Sequence, residues 1–193
     1  TLDVEGLQAY LKEYEGQRIF LFGFTFMIWQ HVYKESRDKG IEIDFGDSVL
    51  IHGGGWKKIK DEAVDAKTFN RLLREQLGIR EAHNYYGMVE QVGSIFVECS
   101  EGHLHAPQFA DVIIRDPITF EPVGIGEQGL IQVLSELPKS YPGHSLLTED
   151  LGTIHGIDDC KCGWKGKYFS VAGRIPKAEL RGCSDTFQGG VKS

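Results

Sequence analysis

The chain has 193 residues, of which 41% are hydrophobic and 25% are charged, and its formal net charge is −7. This length suffices for one large domain or two small ones with a buried core, and the composition is ordinary for a globular protein. The acidic excess, with no basic block to offset it, argues against a general nucleic-acid binder.

The cysteines and the apolar segments indicate the compartment. Four cysteines are too few for a disulfide scaffold in a chain of this length, so a metal site or a catalytic thiol in a reducing compartment is favoured. The chain opens without the basic start or apolar run of a signal peptide. Its most apolar segment, residues 19–29, is too short to span a bilayer and contains Gly23 and Thr25. We therefore expect a cytoplasmic protein without a membrane span.

The first half of the chain alternates helical and strand patterns, which predicts an α/β layer over residues 1–93. The predicted elements are a helix over 4–15, a strand over 18–22, a helix over 26–38, a strand over 48–51 and a helix over 66–77. Gly78 supplies a stop for the last helix. The second strand runs into Gly53, Gly54 and Gly55, and a glycine-rich turn after a strand is where open α/β sheets place ligands.

After residue 93 the pattern changes to short apolar runs separated by Pro or Gly, without helical periodicity. This pattern predicts a β-rich, barrel-like subdomain over residues 94–174. The predicted strands are 95–98, 111–115, 129–134, 151–154 and 168–172. Residues 175–193 are expected to form a tail that is loose at its end, 188–193.

Residues 84–93, Asn-Tyr-Tyr-Gly-Met-Val-Glu-Gln-Val-Gly, set an aromatic ring and a carboxylate around a glycine. Tyr86 can stack on a flat base, Gly87 lets a ligand approach the backbone, and Glu90 can hold a divalent cation. Thr-Glu-Asp ending at Asp150 and Gly-Arg ending at Arg174 follow later in the chain. Each motif alone also has an ordinary interpretation, such as a core tyrosine or a tight turn.

In this order, with the glycine triplet before them, the motifs resemble the nucleotide-site series of adenylate-forming enzymes, which join a carboxylate to AMP. Nearly the whole chain resembles the acyl-protein synthetase (LuxE-type) family, which is related to the phenylacetate–CoA ligases. The resemblance implies an α/β fold, namely a portion of the N-terminal domain of adenylate-forming (ANL-type) enzymes, with an α/β layer followed by a small distorted β-barrel. Such enzymes carry a Ser/Thr/Gly-rich phosphate loop further upstream, and none occurs here, so we expect the C-terminal portion of a longer protein.

The resemblance also implies roles for individual residues. Glu90 would help to hold Mg²⁺ on ATP, and Asp150 would accept hydrogen bonds from the ribose hydroxyls. Two positions depart from the family pattern: Val89 replaces a threonine that touches phosphate, and Glu149 replaces a glycine. The nucleotide-binding residues implied are Gly53, Gly54, Gly55, Tyr86, Gly87, Asp150 and Arg174.

Two short cysteine-containing segments predict a metal site. Cys99 is followed by His103 and His105, and Cys160 by Cys162; two such pairs on turns between strands are typical of tetrahedral Zn²⁺ sites. The phenylacetate–CoA ligases show a similar arrangement with Gly-x-His after the first cysteine, which favours His105 over His103. The predicted ligands of a structural zinc ion are therefore Cys99, His105, Cys160 and Cys162. The alternative is free cysteines buried as small hydrophobic residues.

The fourth cysteine, Cys183, lies near the end of the chain in Leu-Arg-Gly-Cys-Ser-Asp. In acyl-protein synthetases a cysteine near the C-terminus carries the acyl group as a thioester, so the resemblance implies a catalytic role for Cys183. A thiolate readily attacks the carbonyl of an acyl-adenylate, and Arg181 or Lys177 would favour the thiolate. The resemblance to acyl-protein synthetases leads us to expect no lid domain of the kind that brings a catalytic lysine to most adenylate-forming enzymes. The alternative is an incidental surface cysteine.

Together these features predict an ATP-dependent acyl-protein synthetase that uses Mg²⁺, activates a fatty or other carboxylic acid as acyl-AMP, and holds the acyl group on Cys183. An acyl-reductase or acyltransferase would be the protein partner. Two alternatives stay open: an acyl-CoA synthetase like the phenylacetate–CoA ligases, and a non-catalytic, zinc-stabilised binding module.

Overall fold

The computed structural model describes residues 2–175, apart from the side chains of Lys57, Lys58 and Lys60. The described residues form two compact units, the first ending at Tyr85 and the second beginning at Tyr86. The sequence predicts a boundary between the α/β and β-rich regions after residue 93, and that boundary stays a prediction. No helix in the described range has the length and apolar character needed to cross a membrane.

The first unit is built on three parallel strands, with β2 paired to β1 on one side and to β3 on the other. The strands are β1 (Ile19–Phe24), β2 (Ser48–Gly53) and β3 (Glu81–Tyr86). The helical elements are α1 (Val4–Glu13), α2 (Thr25–Met27), a π-helical segment (Ile28–Lys34), α3 (Glu35–Lys39), a 3₁₀ segment (Lys57–Glu62) and α4 (Ala66–Leu77). Helices joining parallel strands are the expected α/β connection.

Helix α4 forms over the predicted residues because both of its ends are specified locally. The Asp65 side chain accepts a hydrogen bond from the Thr68 backbone N–H at 3.0 Å, and Gly78 ends the helix at φ +69°. Phe69, Leu73 and Leu77 are buried on one face. The helix predicted over 26–38 forms as α2, the π-helical segment and α3 in succession, and the π-helical segment buries Trp29 and Tyr33.

The core of the first unit lies between the sheet and these helices. Its buried members are Trp29, Tyr33, Ile43, Phe45, Leu50, Phe69, Leu73, Leu77 and Ile79. On strand β1, Phe20 and Phe22 are 67% and 62% exposed. Two neighbouring exposed rings on a parallel strand are unusual, since parallel sheets are generally covered on both faces.

The second unit is antiparallel, with strands in the order β4-β5-β9-β8-β7-β6. These strands are β4 (Phe96–Glu98), β5 (Leu104–His105), β6 (Ala110–Arg115), β7 (Gln128–Ser135), β8 (Ser145–Ile157) and β9 (Lys167–Arg174). A 3₁₀ turn, Val89–Gln91, precedes them. Register shifts interrupt the β7–β8 and β8–β9 pairings, and such irregularities bend a sheet. The core consists of Phe96, Leu104, Val112, Ile114, Ile131, Val133, Ile154 and Phe169.

Candidate nucleotide site and metal centre

The glycine triplet forms an open turn at the carboxyl end of β2. Gly54 and Gly55 are exposed, with φ of +78° and +65°, a left-handed conformation that side chains disfavour. At Gly53 a β-carbon would lie 2.6 Å from the Tyr85 ring. Glycine is therefore favoured at all three positions. The backbone of Gly54 and Gly55 is exposed, so a flat ligand could approach it closely.

Two buried polar residues hold the start of this turn. The Thr25 hydroxyl donates to the Gly53 carbonyl at 3.0 Å and lies 2.9 Å from His52 Nδ1. Because the hydroxyl proton is directed to the carbonyl, His52 Nδ1 is the donor in the second bond. Burial lowers the pKa of His52 to about 4, with a smaller contribution from His83, so the ring is neutral at pH 7. The sequence pattern did not indicate either residue.

Tyr86 begins the second unit with its ring packed in the core and its hydroxyl directed at Asp150. The ring lies against Phe96 and Phe169, with centroids 6.1 and 6.2 Å away. The hydroxyl donates to Asp150 Oδ2 at 2.8 Å. Burial, reinforced by the Asp150 charge, raises the pKa of Tyr86, so the phenol keeps the proton that it donates.

Asp150 and Arg174 lie opposite each other on β8 and β9. Arg174 Nε is 3.6 Å from Asp150 Oδ1, and the Asp150 backbone N–H donates to the Thr148 hydroxyl at 3.1 Å. Thr148 in turn donates to the Ile131 carbonyl. The structure thus brings three of the predicted nucleotide residues, Tyr86, Asp150 and Arg174, into one group.

Glu90 lies on the exposed 3₁₀ turn that follows β3, three residues beyond the exposed Gly87. The next residue anchors this turn: Gln91 is 1% exposed, and its amide donates to the Gly143 carbonyl at 2.9 Å. Three residues after Gln91, the buried Ser94 hydroxyl donates a hydrogen bond to the Ser135 hydroxyl at 2.7 Å. Glu90 therefore presents a solvent-facing carboxylate from a fixed backbone, which suits a cation carried by a substrate. The anchoring role of Gln91 was not predicted.

The four predicted zinc ligands lie together. One ligand atom from each of Cys99, His105, Cys160 and Cys162 falls within 4.8 Å of all the others. Cys99 follows β4, His105 lies on β5, and Cys160 and Cys162 lie on the turn between β8 and β9. The Sγ atoms of Cys99 and Cys160 are 3.9 Å apart, and Cys162 Sγ is 3.4 Å from His105 Nε2.

These distances fit a tetrahedral zinc ion. Zn–S bonds of about 2.3 Å and Zn–N bonds of about 2.0–2.1 Å give tetrahedral edges of about 3.8 Å between sulfurs and about 3.6 Å between sulfur and nitrogen. The observed 3.9 Å and 3.4 Å are close to these edges, and the sulfur separation is far beyond a disulfide bond of about 2.05 Å. The donor set of three thiols and one imidazole is one that zinc prefers.

The surroundings of the cluster also suit a cation. Burial raises the pKa of the Cys162 thiol to about 11, with smaller contributions from Cys160 and Cys99, so the thiolates that bind a metal need a compensating positive charge here. The Trp164 backbone N–H donates to Cys162 Sγ at 3.3 Å, as amides do around metal-bound thiolates. His103 lies beside the cluster, with Nδ1 3.8 Å from Cys160 Sγ and its ring near His155 and Tyr168. It is not one of the four grouped ligands.

The fold resembles that of solved acyl-CoA ligase structures. The chain superposes on 2-hydroxyisobutyryl-CoA ligase in an open conformation with a TM-score of 0.68 at 17% identity, covering 90% of this chain and 37% of that one. ATP-bound MatB from Rhodopseudomonas palustris gives a TM-score of 0.55 at 17% identity, covering 87% and 33%. At these identities the likeness shows the fold alone, and it confirms the predicted fold class.

Within that class the sequence defines the family. A profile described as "Acyl-protein synthetase, LuxE" matches residues 4–191, and the chain belongs to this family, as its motifs predicted. Two similar proteins are the long-chain-fatty-acid–luciferin-component ligases of Aliivibrio fischeri, 26% identical over 164 residues, and Vibrio harveyi, 28% identical over 155. The matches cover 83% and 77% of this chain but 42% and 39% of those proteins. Cys183, the predicted acyl acceptor, lies outside the described residues.

Proposed function

We propose that this chain is the part of an ATP-dependent acyl-protein synthetase that holds the nucleotide and carries the acyl-accepting thiol. The substrate would be a long-chain fatty acid, as the names of the two relatives suggest. The observation that carries the proposal is the Asp150 carboxylate held between Tyr86 and Arg174 in a chain that belongs to the LuxE family.

The proposed reaction has two steps. First, a carboxylate oxygen of the fatty acid attacks the α-phosphorus of ATP, a new O–P bond forms, and pyrophosphate leaves. Asp150 would accept hydrogen bonds from the ribose hydroxyls, and Arg174 would supply positive charge beside the ribose or phosphate. Mg²⁺ would neutralise charge on the phosphates, with Glu90 as its protein contact. The family resemblance assigns the adenine to the glycine turn, in which Gly54 and Gly55 are exposed.

In the second step the Cys183 thiol loses its proton to solvent and the sulfur attacks the acyl carbonyl. The C–S bond forms as the bond from the acyl carbon to the AMP oxygen breaks. The thioester would then be delivered to an acyl-reductase or acyltransferase. A reducing cytoplasm would keep this thiol available.

We further propose that Cys99, His105, Cys160 and Cys162 bind a structural zinc ion. Four protein ligands complete a tetrahedral shell and leave no position for substrate, so the ion would fasten β4, β5 and the β8–β9 turn and take no part in the reaction.

Acid-dependent exchange of pyrophosphate into ATP tests the first step in the full-length protein that contains this chain. Exchange that requires a long-chain fatty acid and survives Cys183→Ser supports adenylation by this protein. Transfer of labelled fatty acid to the protein should disappear in the same variant.

Two results would contradict the proposal. If acyl-CoA forms on addition of CoA and Cys183→Ser changes neither that product nor protein labelling, the protein is a CoA ligase. If the protein neither binds ATP nor exchanges pyrophosphate with any long-chain acid, a binding module is the better account.

A further inference from the structure

The Asp150 carboxylate is held unequally by its neighbours. Tyr86 donates a short hydrogen bond of 2.8 Å to Oδ2, whereas Arg174 Nε lies 3.6 Å from Oδ1. The first contact is a hydrogen bond to a charged acceptor, and the second is a looser ion pair. The Asp150 side chain is 19% exposed, so part of it still faces solvent.

The donor of the short bond cannot easily move away. Phe96 and Phe169, which flank the Tyr86 ring, are 1% and 0% exposed and contact each other edge to face. The ring that carries the hydroxyl is therefore packed against the core of the second unit and is partly buried. Burial and the Asp150 charge raise the pKa of Tyr86, so the hydroxyl keeps its proton and remains a donor at neutral pH.

A fixed donor matters because an aspartate carboxylate rotates freely about its last torsion unless something holds it. Recognition of a vicinal diol requires the carboxylate in one orientation, so that two hydroxyls bond it at once. A carboxylate offers about four lone-pair directions, and the Tyr86 bond uses one of them. The others remain for Arg174 and for a diol.

We propose that Tyr86 is a positioning residue, whose hydroxyl orients the Asp150 carboxylate to receive the two ribose hydroxyls of the nucleotide. This inference rests on the proposed function. It separates two roles of one side chain: the ring contacts the base and the core, and the hydroxyl acts on the ribose through Asp150. Phenylalanine at this position would keep the first role and lose the second.

The test compares Tyr86→Phe with wild type for two nucleotides, ATP and 2′,3′-dideoxy-ATP, which lacks both ribose hydroxyls. Dissociation constants measured by titration calorimetry on the full-length protein are the readout. We expect Tyr86→Phe to weaken ATP binding by about fivefold to tenfold, the ordinary net contribution of one hydrogen bond. Binding of the dideoxy nucleotide should change by less than about twofold.

A second variant supplies the matched control. Asp150→Ala should bind ATP and dideoxy-ATP equally, and adding Tyr86→Phe to it should cause no further loss of ATP affinity, because the hydroxyl then has nothing to orient. Equal weakening of both nucleotides by Tyr86→Phe would overturn the inference and assign the hydroxyl to general packing. Unchanged ATP affinity would overturn it as well. Wild-type protein that binds no ATP would refute the proposed function itself, a result distinct from both.

Discussion

The two ends of the β8–β9 hairpin contain side-chain groups of opposite character. The turn carries Cys160 and Cys162, which join Cys99 and His105 in a compact group of mostly buried donor atoms. The open end carries Asp150 and Arg174, which are partly exposed. At the turn, four candidate metal ligands come together, whereas at the open end the Asp150 carboxylate keeps hydrogen-bonding capacity for a ligand. Under the proposals above, this hairpin would combine a structural metal group at its turn with a group at its open end that binds the nucleotide.

The largest expected effect comes from the metal group. We expect Cys160→Ala, or removal of zinc by a chelator, to lower the free energy of unfolding by at least about 4 kcal/mol, because loss of a metal is among the most destabilising changes. Urea unfolding together with zinc analysis of the purified protein measures this. Cys183→Ser, outside the group, should keep zinc and stability. Folded protein with little zinc would contradict the assignment.

A pH scan of the unfolding free energy examines His52, a buried polar residue of the first unit. The pKa of His52 falls from 6.5 to about 4 on folding, so between these values the unfolded state binds more protons and stability decreases as pH falls. The full loss is about 3 kcal/mol. His52→Asn keeps a donor for Thr25 but does not titrate, so its unfolding free energy should depend less on pH. Contributions from the metal ligands and from His83 are common to both proteins. Parallel curves would show that His52 does not titrate as described.

A substitution at the open end of the hairpin should lower the affinity for ATP, and it should lower the free energy of unfolding much less than a substitution at the metal group. We expect Asp150→Ala to weaken ATP binding by about 2–3 kcal/mol, because charge-assisted hydrogen bonds to ribose are lost. Because the Tyr86 hydroxyl loses this acceptor, the unfolding free energy should fall by about 1–2 kcal/mol, well below the loss expected at the metal group. Calorimetric binding and urea unfolding of one sample give both values. If Asp150→Ala lost as much stability as Cys160→Ala and kept its ATP affinity, the contrast between the two ends of the hairpin would be wrong.

The smallest effect is expected at Glu90. Glu90→Gln should slow Mg·ATP-dependent pyrophosphate exchange by about tenfold, because the carboxylate that faces the cation loses its charge. Stability should not change, since the turn is anchored by Gln91. Gln91→Ala, which removes the anchor of the turn but keeps the Glu90 carboxylate, is the comparison variant. Unchanged pyrophosphate exchange in Glu90→Gln would remove Glu90 from the proposed mechanism.

What the sequence could predict depended on how local the determinants are. Helix α4 was predicted residue for residue because its caps, Asp65 and Gly78, are adjacent to it in the chain. Strand β3 was not predicted because Glu81, His83 and Asn84 give it no apolar run. Likewise, the 3₁₀ segment and the two-residue β5 carry no periodicity long enough to detect.

The same rule applies to the sites. The zinc ligands could be proposed because each pair is close in sequence, and the glycine turn because it follows an apolar strand. The bonds from Thr25 to Gly53 and from Tyr86 to Asp150 join residues 28 and 64 positions apart, and no local pattern indicates such partners. Gln91 was missed for the same reason, since its partner, Gly143, is 52 residues away.

The most direct measurement of the central claim is mass spectrometry of the full-length protein after incubation with Mg·ATP and a mixture of carboxylic acids. The account predicts a hydroxylamine-labile acyl adduct on Cys183, whose mass identifies the acid. Released acyl-AMP, or acyl-CoA after addition of CoA, with Cys183 unmodified would contradict it.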